Sequence, residues 1–310
     1  MAGEDNQTRP RLLVIAGPTG VGKTEIGAQV AQKIGGEIIS ADSAAVFRGL
    51  DVGTAKPPLA LRQVVVHHGL DLVDATARYS VADFQTMAKA AIEDIVQRGR
   101  VPIVVGGTGL WIRALVRDYQ LPPEGEPSPM RQLLHQFGMQ DGYRSLRRQL
   151  RVVDPGSASA IAINDHRRLV RALEVFITTG RPLSRSVATP SPYHCVYWVL
   201  SRAVAELQQR IGARTAAMMR DGLVAEVQSL LSQGVPPRSQ SLSAIGYRET
   251  VDWIYGLLTA SERDALITRH TRQLAKRQLT WFRGEKEARW LDLSAWPIPR
   301  AVDKIVESVR

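Results

Sequence analysis

Along the chain, short unbroken apolar runs alternate with longer stretches in which apolar residues recur every three or four positions. Leu12-Leu13-Val14-Ile15-Ala16 is apolar throughout, as a strand buried on both faces must be. From Thr24 to Ile34 the apolar positions follow a helical period, and Gly35-Gly36 provides a stop. Glu37-Ile38-Ile39-Ser40 predicts a second strand, and Leu70 to Val73 a third. Val81 to Arg98 predicts an amphipathic helix stopped by Gly99, and Val101 to Val105 a further buried strand broken at Gly106-Gly107-Thr108-Gly109. Strands alternating with helices predict a parallel sheet covered by helices on both faces.

After Asp118 the pattern changes. Leu121-Pro122-Pro123-Glu124-Gly125-Glu126-Pro127-Ser128-Pro129 predicts a proline-rich hinge, and Met130 to Thr179 predicts arginine-rich helices with no strand, as expected of an insertion. The core resumes with a strand over Tyr193 to Leu200, a long helix near Val204 to Arg220, and a closing helix from about Ser261 to Arg283. The expected organisation is a core over 1–118, a helical insertion over 119–190 and a second core segment over 191–310. No stretch approaches the ~18–20 uninterrupted apolar residues of a membrane helix. The acidic start, Met1-Ala2-Gly3-Glu4-Asp5-Asn6, does not resemble a signal peptide, so a cytoplasmic protein is expected.

The first strand runs into Gly17-Pro18-Thr19-Gly20-Val21-Gly22-Lys23-Thr24, a complete phosphate-binding loop between strand and helix. Its glycines let backbone N–H groups turn inward around an anion. The helix N-terminus adds partial positive charge, Lys23 a full charge, and the Thr24 hydroxyl a ligand for Mg²⁺. The fold class this predicts is α/β, a P-loop NTPase-like parallel sheet core with a mostly helical inserted domain. An ATPase would add a strand ending in a Mg²⁺-holding aspartate. The best strand for that role instead ends in Gly106-Gly107-Thr108-Gly109, which offers amides and a hydroxyl to anionic oxygens. The strand that does end in an acid is Ile38-Ile39-Ser40-Ala41-Asp42. Ligands of open α/β sheets bind beyond the carboxyl ends of the strands, which puts Asp42 beside the loop and Thr108. There it would hold Mg²⁺ through water, take a proton from a nucleophile, or, with Ser43, merely cap a helix.

Lysine and arginine total 40 against 30 acids, a net charge of +10 that favours a polyanionic partner. The single cysteine, Cys195, excludes an intramolecular disulfide and a multi-cysteine zinc site, and its apolar surroundings predict a buried strand thiol. His67 and His68 would point to opposite faces of an extended segment, which argues against a shared metal. In the closing helix Arg269, Arg272, Lys276 and Arg283 share one face and Leu274 and Trp281 another. Such a stripe is either a solvated face or a phosphate-contacting one.

Taken in order, the loop, "SADSAAVFRGLDVGTAKP" (Ser40 to Pro57), "HHGLDLVD" (His67 to Asp74), "RYSVADF" (Arg78 to Phe84), "VVGGTGLWIRAL" (Val104 to Leu115), "NDHRRLVRALEV" (Asn164 to Val175), "AIGYRE" (Ala244 to Glu249) and "AKRQLTWFR" (Ala275 to Arg283) resemble the bacterial tRNA dimethylallyltransferases over nearly the whole chain. The resemblance implies transfer of a dimethylallyl group from dimethylallyl diphosphate to N6 of the adenosine just 3′ of the anticodon, in tRNAs reading codons that begin with U. The loop Gly17 to Thr24 then holds the diphosphate of a prenyl donor, with Mg²⁺ on Thr24. By resemblance Arg214 reaches that diphosphate, Thr108 positions the reacting groups, and Asp42 orients the amine and accepts its proton. Contacts to tRNA are implied for Asp42, Ser43, Ala44, Ala45 and Thr108, for Arg131, for Arg167, Arg168, Leu169, Val170 and Arg171 of the insertion, and for Arg272, Lys276 and Arg277 of the closing helix. The implied partners are the tRNA anticodon stem-loop and dimethylallyl diphosphate; no membrane is involved, and the protein is expected to be a monomer. Phe47, Trp111 and His166 depart from residues common in the family. Three other functions remain: a prenyltransferase acting on free adenine nucleotides, a P-loop kinase or ATPase, and an RNA-binding protein that keeps the loop as a relic.

Overall fold

The computed structural model describes residues 9–119, 129–185 and 191–309. The chain divides into two compact units, residues 1–116 with 191–310, and residues 117–190. The first unit opens with β1 (Arg11–Ala16), α1 (Lys23–Ile34), β2 (Gly36–Ala41), α2 (Leu59–Val64), β3 (His67–His68), α3 (Val81–Gln97), β4 (Val101–Gly106) and α4 (Gly109–Val116). The second holds α5 (Pro129–Asp141), α6 (Arg144–Val153), α7 (Pro155–Ala160) and α8 (His166–Thr179). The first resumes with β5 (His194–Ser201), α9 (Val204–Arg220), α10 (Leu223–Ser232), α11 (Tyr247–Ile254), α12 (Ala260–Arg283), β6 (Arg289–Asp292) and α13 (Ile298–Glu307).

All six strands are parallel, in the order β3-β2-β4-β1-β5-β6. β1 lies between β4 and β5, pairing Val14 with Val104 and with Tyr197. Leu12 and Val14 enter one core layer, and Leu13 and Ile15 the other. Burial on both sides is why β1 reads as one apolar run. Reversal of strand order between β1 and β4 leaves a crevice at their carboxyl ends, where the phosphate loop emerges.

The third strand is corrected from the sequence reading. It is His67–His68, not Leu70 to Val73, because Gly69 adopts φ +83 and turns the chain away. A Cβ on Gly69 would stand 2.9 Å from the Ser40 carbonyl oxygen. Residues 71–73 hydrogen-bond instead to Ala45 and Val46, and Val73 forms an isolated bridge to Phe47. The proline-rich hinge over 121–128 lies outside the described residues. In the insertion, Leu146, Leu150, Leu169, Val170 and Leu173 form a separate core. Buried Asp154 caps α7 through the Ser157 N–H and also accepts from the Ser184 N–H, each at 3.0 Å.

Candidate active site

The loop 17–24 leaves the end of β1 and runs into the first turn of α1. Gly22 at φ +109 is a left-handed N-cap, and no side chain caps the helix, so its first N–H groups remain for an external anion. Arginines from elsewhere in the chain hold three oxygens of the loop. Arg202 Nε donates to the Val21 carbonyl at 2.9 Å, Arg210 Nε to the Gly20 carbonyl at 2.8 Å, and Arg214 Nη1 to Thr19 Oγ1 at 3.1 Å. Lys23 Nζ folds back onto the Pro18 carbonyl at 2.8 Å. Burial lowers the Lys23 pKa to about 8; the nearby Asp42 raises it and Arg214 lowers it.

Lys23, Thr24, Asp42, Thr108 and Arg214 line one cavity of about 520 Å³. A second opening of about 440 Å³ reaches Lys23, Thr24 and Arg214 from the side of Gly20 and Arg210. Asp42 does not cap a helix. Its Oδ1 accepts the Ala44 N–H at 2.9 Å, two residues on, and closes the turn over 43–46. Thr108 fastens that turn to β4: its Oγ1 accepts the Ser43 N–H at 3.2 Å, and its own N–H donates to the Ala41 carbonyl at 3.1 Å. The acid is thereby carried on a turn tied to two strand ends. Ser43 is exposed, Ala44 half-buried and Ala45 buried, and all line the cavity. The two histidines part as their alternation requires: His67 Nδ1 meets the Val65 carbonyl at 2.7 Å, and His68 Nε2 meets Glu37 at 2.8 Å.

Gln278 on α12 escaped the sequence reading. Its Oε1 accepts the Thr19 N–H at 2.8 Å, and its Nε2 donates to the Gly107 carbonyl at 2.9 Å. The side chain therefore bridges the phosphate loop and the end of β4. A Cβ on Gly107 would stand 2.4 Å from Gln278 Nε2, and one on Gly109 2.2 Å from the Trp281 ring. Two glycines of the Gly-Gly-Thr-Gly turn thus make room for two side chains of α12. Trp281 is in turn covered by Arg113, whose guanidinium lies 4.2 Å from the ring centroid and pairs with Glu285 at 2.6 Å. The sequence signal for Arg210 is its i,i+4 spacing from Arg214; Arg202 and Gln278 carry none.

The residues expected to meet tRNA divide. On α12, Arg277 edges the cavity, and Arg272 and Lys276 are exposed along with Arg269 and Arg283. In the insertion, Arg167 and Arg168 are exposed on α8, with Arg168 3.4 Å from Asp165. The side chains of Leu169 and Val170 are fully buried in the insertion core and turned away from the surface. Their position follows from the α8 period, which turns them inward while Arg167 and Arg168 face out. Arg131 and Arg171 are half-buried and converge on the buried Glu174, at 2.9 and 3.0 Å.

Sheet order and loop together define an α/β protein with a P-loop-type core, whose cavity sets a carboxylate beside an anion cradle. The chain belongs to the IPP transferase family, whose model matches residues 45–285. It is 42% identical over 292 residues to the tRNA dimethylallyltransferase of Pelotomaculum thermopropionicum, covering 93% of this chain and 92% of that protein. It is 45% identical over 287 residues to the enzyme of the same name from Desulforudis audaxviator, covering 92% of each. Among solved structures it resembles the tRNA isopentenylpyrophosphate transferase of Bacillus halodurans, at TM-score 0.74, 36% identity and coverage of 97% and 96%. A eukaryotic dimethylallyltransferase, solved in snapshots acting on tRNA, aligns at TM-score 0.78 and 28% identity over 97% of this chain and 80% of that one.

Proposed function

We infer that this chain is a tRNA dimethylallyltransferase that moves the dimethylallyl group of dimethylallyl diphosphate to N6 of the adenosine 3′ to the anticodon, in tRNAs reading U-initial codons. One observation carries the reading: an uncapped phosphate loop with Lys23 and Arg214 shares a cavity with the carboxylate of Asp42. The adenine amine attacks C1 of the allyl group, the C1–O bond breaks, and its electron pair leaves on diphosphate. The amine proton passes to Asp42, whose carboxylate becomes a carboxylic acid. Loop amides, Lys23 and Arg214 stabilise the charge that grows on the departing oxygens. Extrusion of the target base from its stack is needed for the amine to reach the cavity.

The donors at the loop suit Mg²⁺. They are the Thr24 hydroxyl and, through water, Asp42, and among the described residues no group of three His, Cys, Asp or Glu could cage a metal. Mg²⁺ keeps several waters and substrate oxygens, so such an incomplete protein set fits it, and bound there it would add charge neutralisation on the diphosphate. The exposed cations of α12 and of α8 are proposed as tRNA contacts. Among the described residues no helix is long and apolar enough to cross a membrane.

The test is mass spectrometry of nucleosides from tRNA incubated with the protein, Mg²⁺ and dimethylallyl diphosphate. N6-dimethylallyladenosine is the expected product. Product formed on AMP and not on tRNA would replace this reading with the free-nucleotide one, and phosphate release from ATP in its place would replace it with a kinase or ATPase.

A further inference from the structure

One carboxylate that the chemistry above leaves unused is heavily engaged. Glu226, on α10, gathers three successive backbone N–H groups of the segment before α2. Its Oε2 accepts from Asp51 at 2.9 Å and Val52 at 2.8 Å, and its Oε1 from Gly53 at 3.3 Å. The Tyr247 hydroxyl donates to the same Oε1 at 2.6 Å. Tyr247 is fully buried, and Gly53 lies so close against its ring that a Cβ there would stand 2.4 Å from Cε2. Burial and the adjacent carboxylate push the tyrosine's pKa far above its ordinary value, so it stays a donor.

The segment held in this way ends at the anion site. The carbonyl of Thr54, the residue after Gly53, accepts from Arg214 Nη2 at 3.0 Å, while Arg214 Nη1 reaches Thr19 of the phosphate loop. Arg214 Nε is buried and has no hydrogen-bond partner among the described residues. The guanidinium is therefore steered from two sides, by the phosphate loop and by the segment that Glu226 clamps. A buried, rotamer-rich cation is useful for charge stabilisation only when its direction is fixed beforehand.

We propose that Glu226, backed by Tyr247, is a positioning residue for the diphosphate: by holding the N–H groups of residues 51–53 it fixes the Thr54 carbonyl and so aims Arg214 into the anion site. The proposal rests on reading the loop as the diphosphate site. It is separable from a purely structural role, because it predicts weaker anion binding in the fraction that is correctly folded.

The experiment compares the full-length protein with Glu226→Ala, Glu226→Gln and Tyr247→Phe. Pyrophosphate affinity is measured by calorimetry, KM and kcat with dimethylallyl diphosphate, tRNA affinity by filter binding, and Tm by thermal denaturation. Glu226→Ala is expected to weaken pyrophosphate binding and raise the donor KM about ten- to a hundredfold, with tRNA affinity unchanged. Glu226→Gln recovers part of that loss, since its carbonyl still accepts from Asp51 and Val52 while its amide cannot accept from Gly53. Tyr247→Phe, which keeps the ring over Gly53, gives a smaller loss and decides the matter if Glu226→Ala does not fold. Variants that melt earlier yet bind pyrophosphate as the parent does would overturn the proposal. A parent protein that binds pyrophosphate but modifies no tRNA would sink the functional reading alone, and the affinity comparison would still decide the role of Glu226.

Discussion

Lys23 is kept charged against the environment that makes it useful. In an unfolded chain its pKa would be the ordinary 10.5, and burial lowers it to about 8 in the folded protein. Because the folded pKa is the lower one, this lysine disfavours folding below about pH 8, and the cost fades as pH rises from 8 to 10.5. Lys23→Met should therefore raise stability at pH 7 by about 1 kcal/mol, or about 2 °C in Tm, after the lost bond to Pro18 offsets part of the gain. The gain should vanish above pH 10.5, while pyrophosphate binding collapses at every pH. In the parent protein, affinity for pyrophosphate should fall as pH rises above 8 and Lys23 loses its charge, with proton uptake on binding near pH 8. Calorimetry in buffers of different ionisation enthalpy reads that uptake, and an affinity flat to pH 10 would remove Lys23 from the anion. Asp42 has a different signature. As the acceptor of a proton that becomes acidic only while the C–N bond forms, it acts chiefly in the transition state. Asp42→Asn can still accept the Ala44 N–H and keep the turn, so kcat should drop about 10²–10⁴-fold with tRNA affinity changed less than about tenfold. Equal losses in both would make Asp42 a binding residue.

At the scale of elements, the site is a junction of strand ends with α12. Gln278 and Trp281, three residues apart, reach the Gly107 and Gly109 positions, so the helix and the turn after β4 fit as teeth into gaps. Gly107→Ala should push Gln278 off the Thr19 N–H and weaken pyrophosphate binding about tenfold, and Gln278→Ala should do much the same. If both act through that one bridge, the double variant will lose little more than either single one; strictly additive losses would separate them. This junction also marks the limit of what local sequence conveys. β1, the phosphate loop and α1 are legible because the glycine spacing, the apolar run and the helical period all lie within one short stretch. Asp42 is legible because it ends an apolar strand. Gln278 and Arg202 are not: their partners Thr19 and Val21 lie 259 and 181 residues away, and nothing in their own surroundings marks them. Glu226 looks like any acid in a first helical turn until the N–H groups of residues 51–53 are seen around it. The misplaced third strand has a local cause, since Leu72 and Val73 are apolar for packing against the core while Gly69 has already broken the strand.

At the scale of the whole molecule, a net charge of +10 has meaning only through the cations that remain available. Some are consumed internally: Arg98 and Arg100 meet the buried Glu37, Arg113 meets Glu285, and Arg131 and Arg171 meet Glu174. Others stand exposed on α12, namely Arg269, Arg272, Lys276 and Arg283, on the same helix whose other face enters the cavity through Gln278 and Trp281. One rigid element would thus hold the RNA backbone and line the chamber where its base reacts, which favours accurate placement over raw affinity. Because each phosphate contact releases counterions, log affinity for tRNA should fall linearly with log salt, and Arg272→Ala or Lys276→Ala should each reduce that slope by about 0.7–0.9. Pyrophosphate affinity should be untouched, and kcat at saturating tRNA should stay within about twofold, since neither side chain is bonded to the phosphate loop. Arg131→Ala should behave otherwise. Its removal takes a partner from a buried carboxylate, so it should destabilise the insertion by about 1–3 kcal/mol whether or not RNA is present. Filter binding across a salt series, with melting curves of the same variants, separates the two kinds of arginine. If the slope is the same with and without Arg272 and Lys276, α12 is a solvated face and the RNA lies elsewhere.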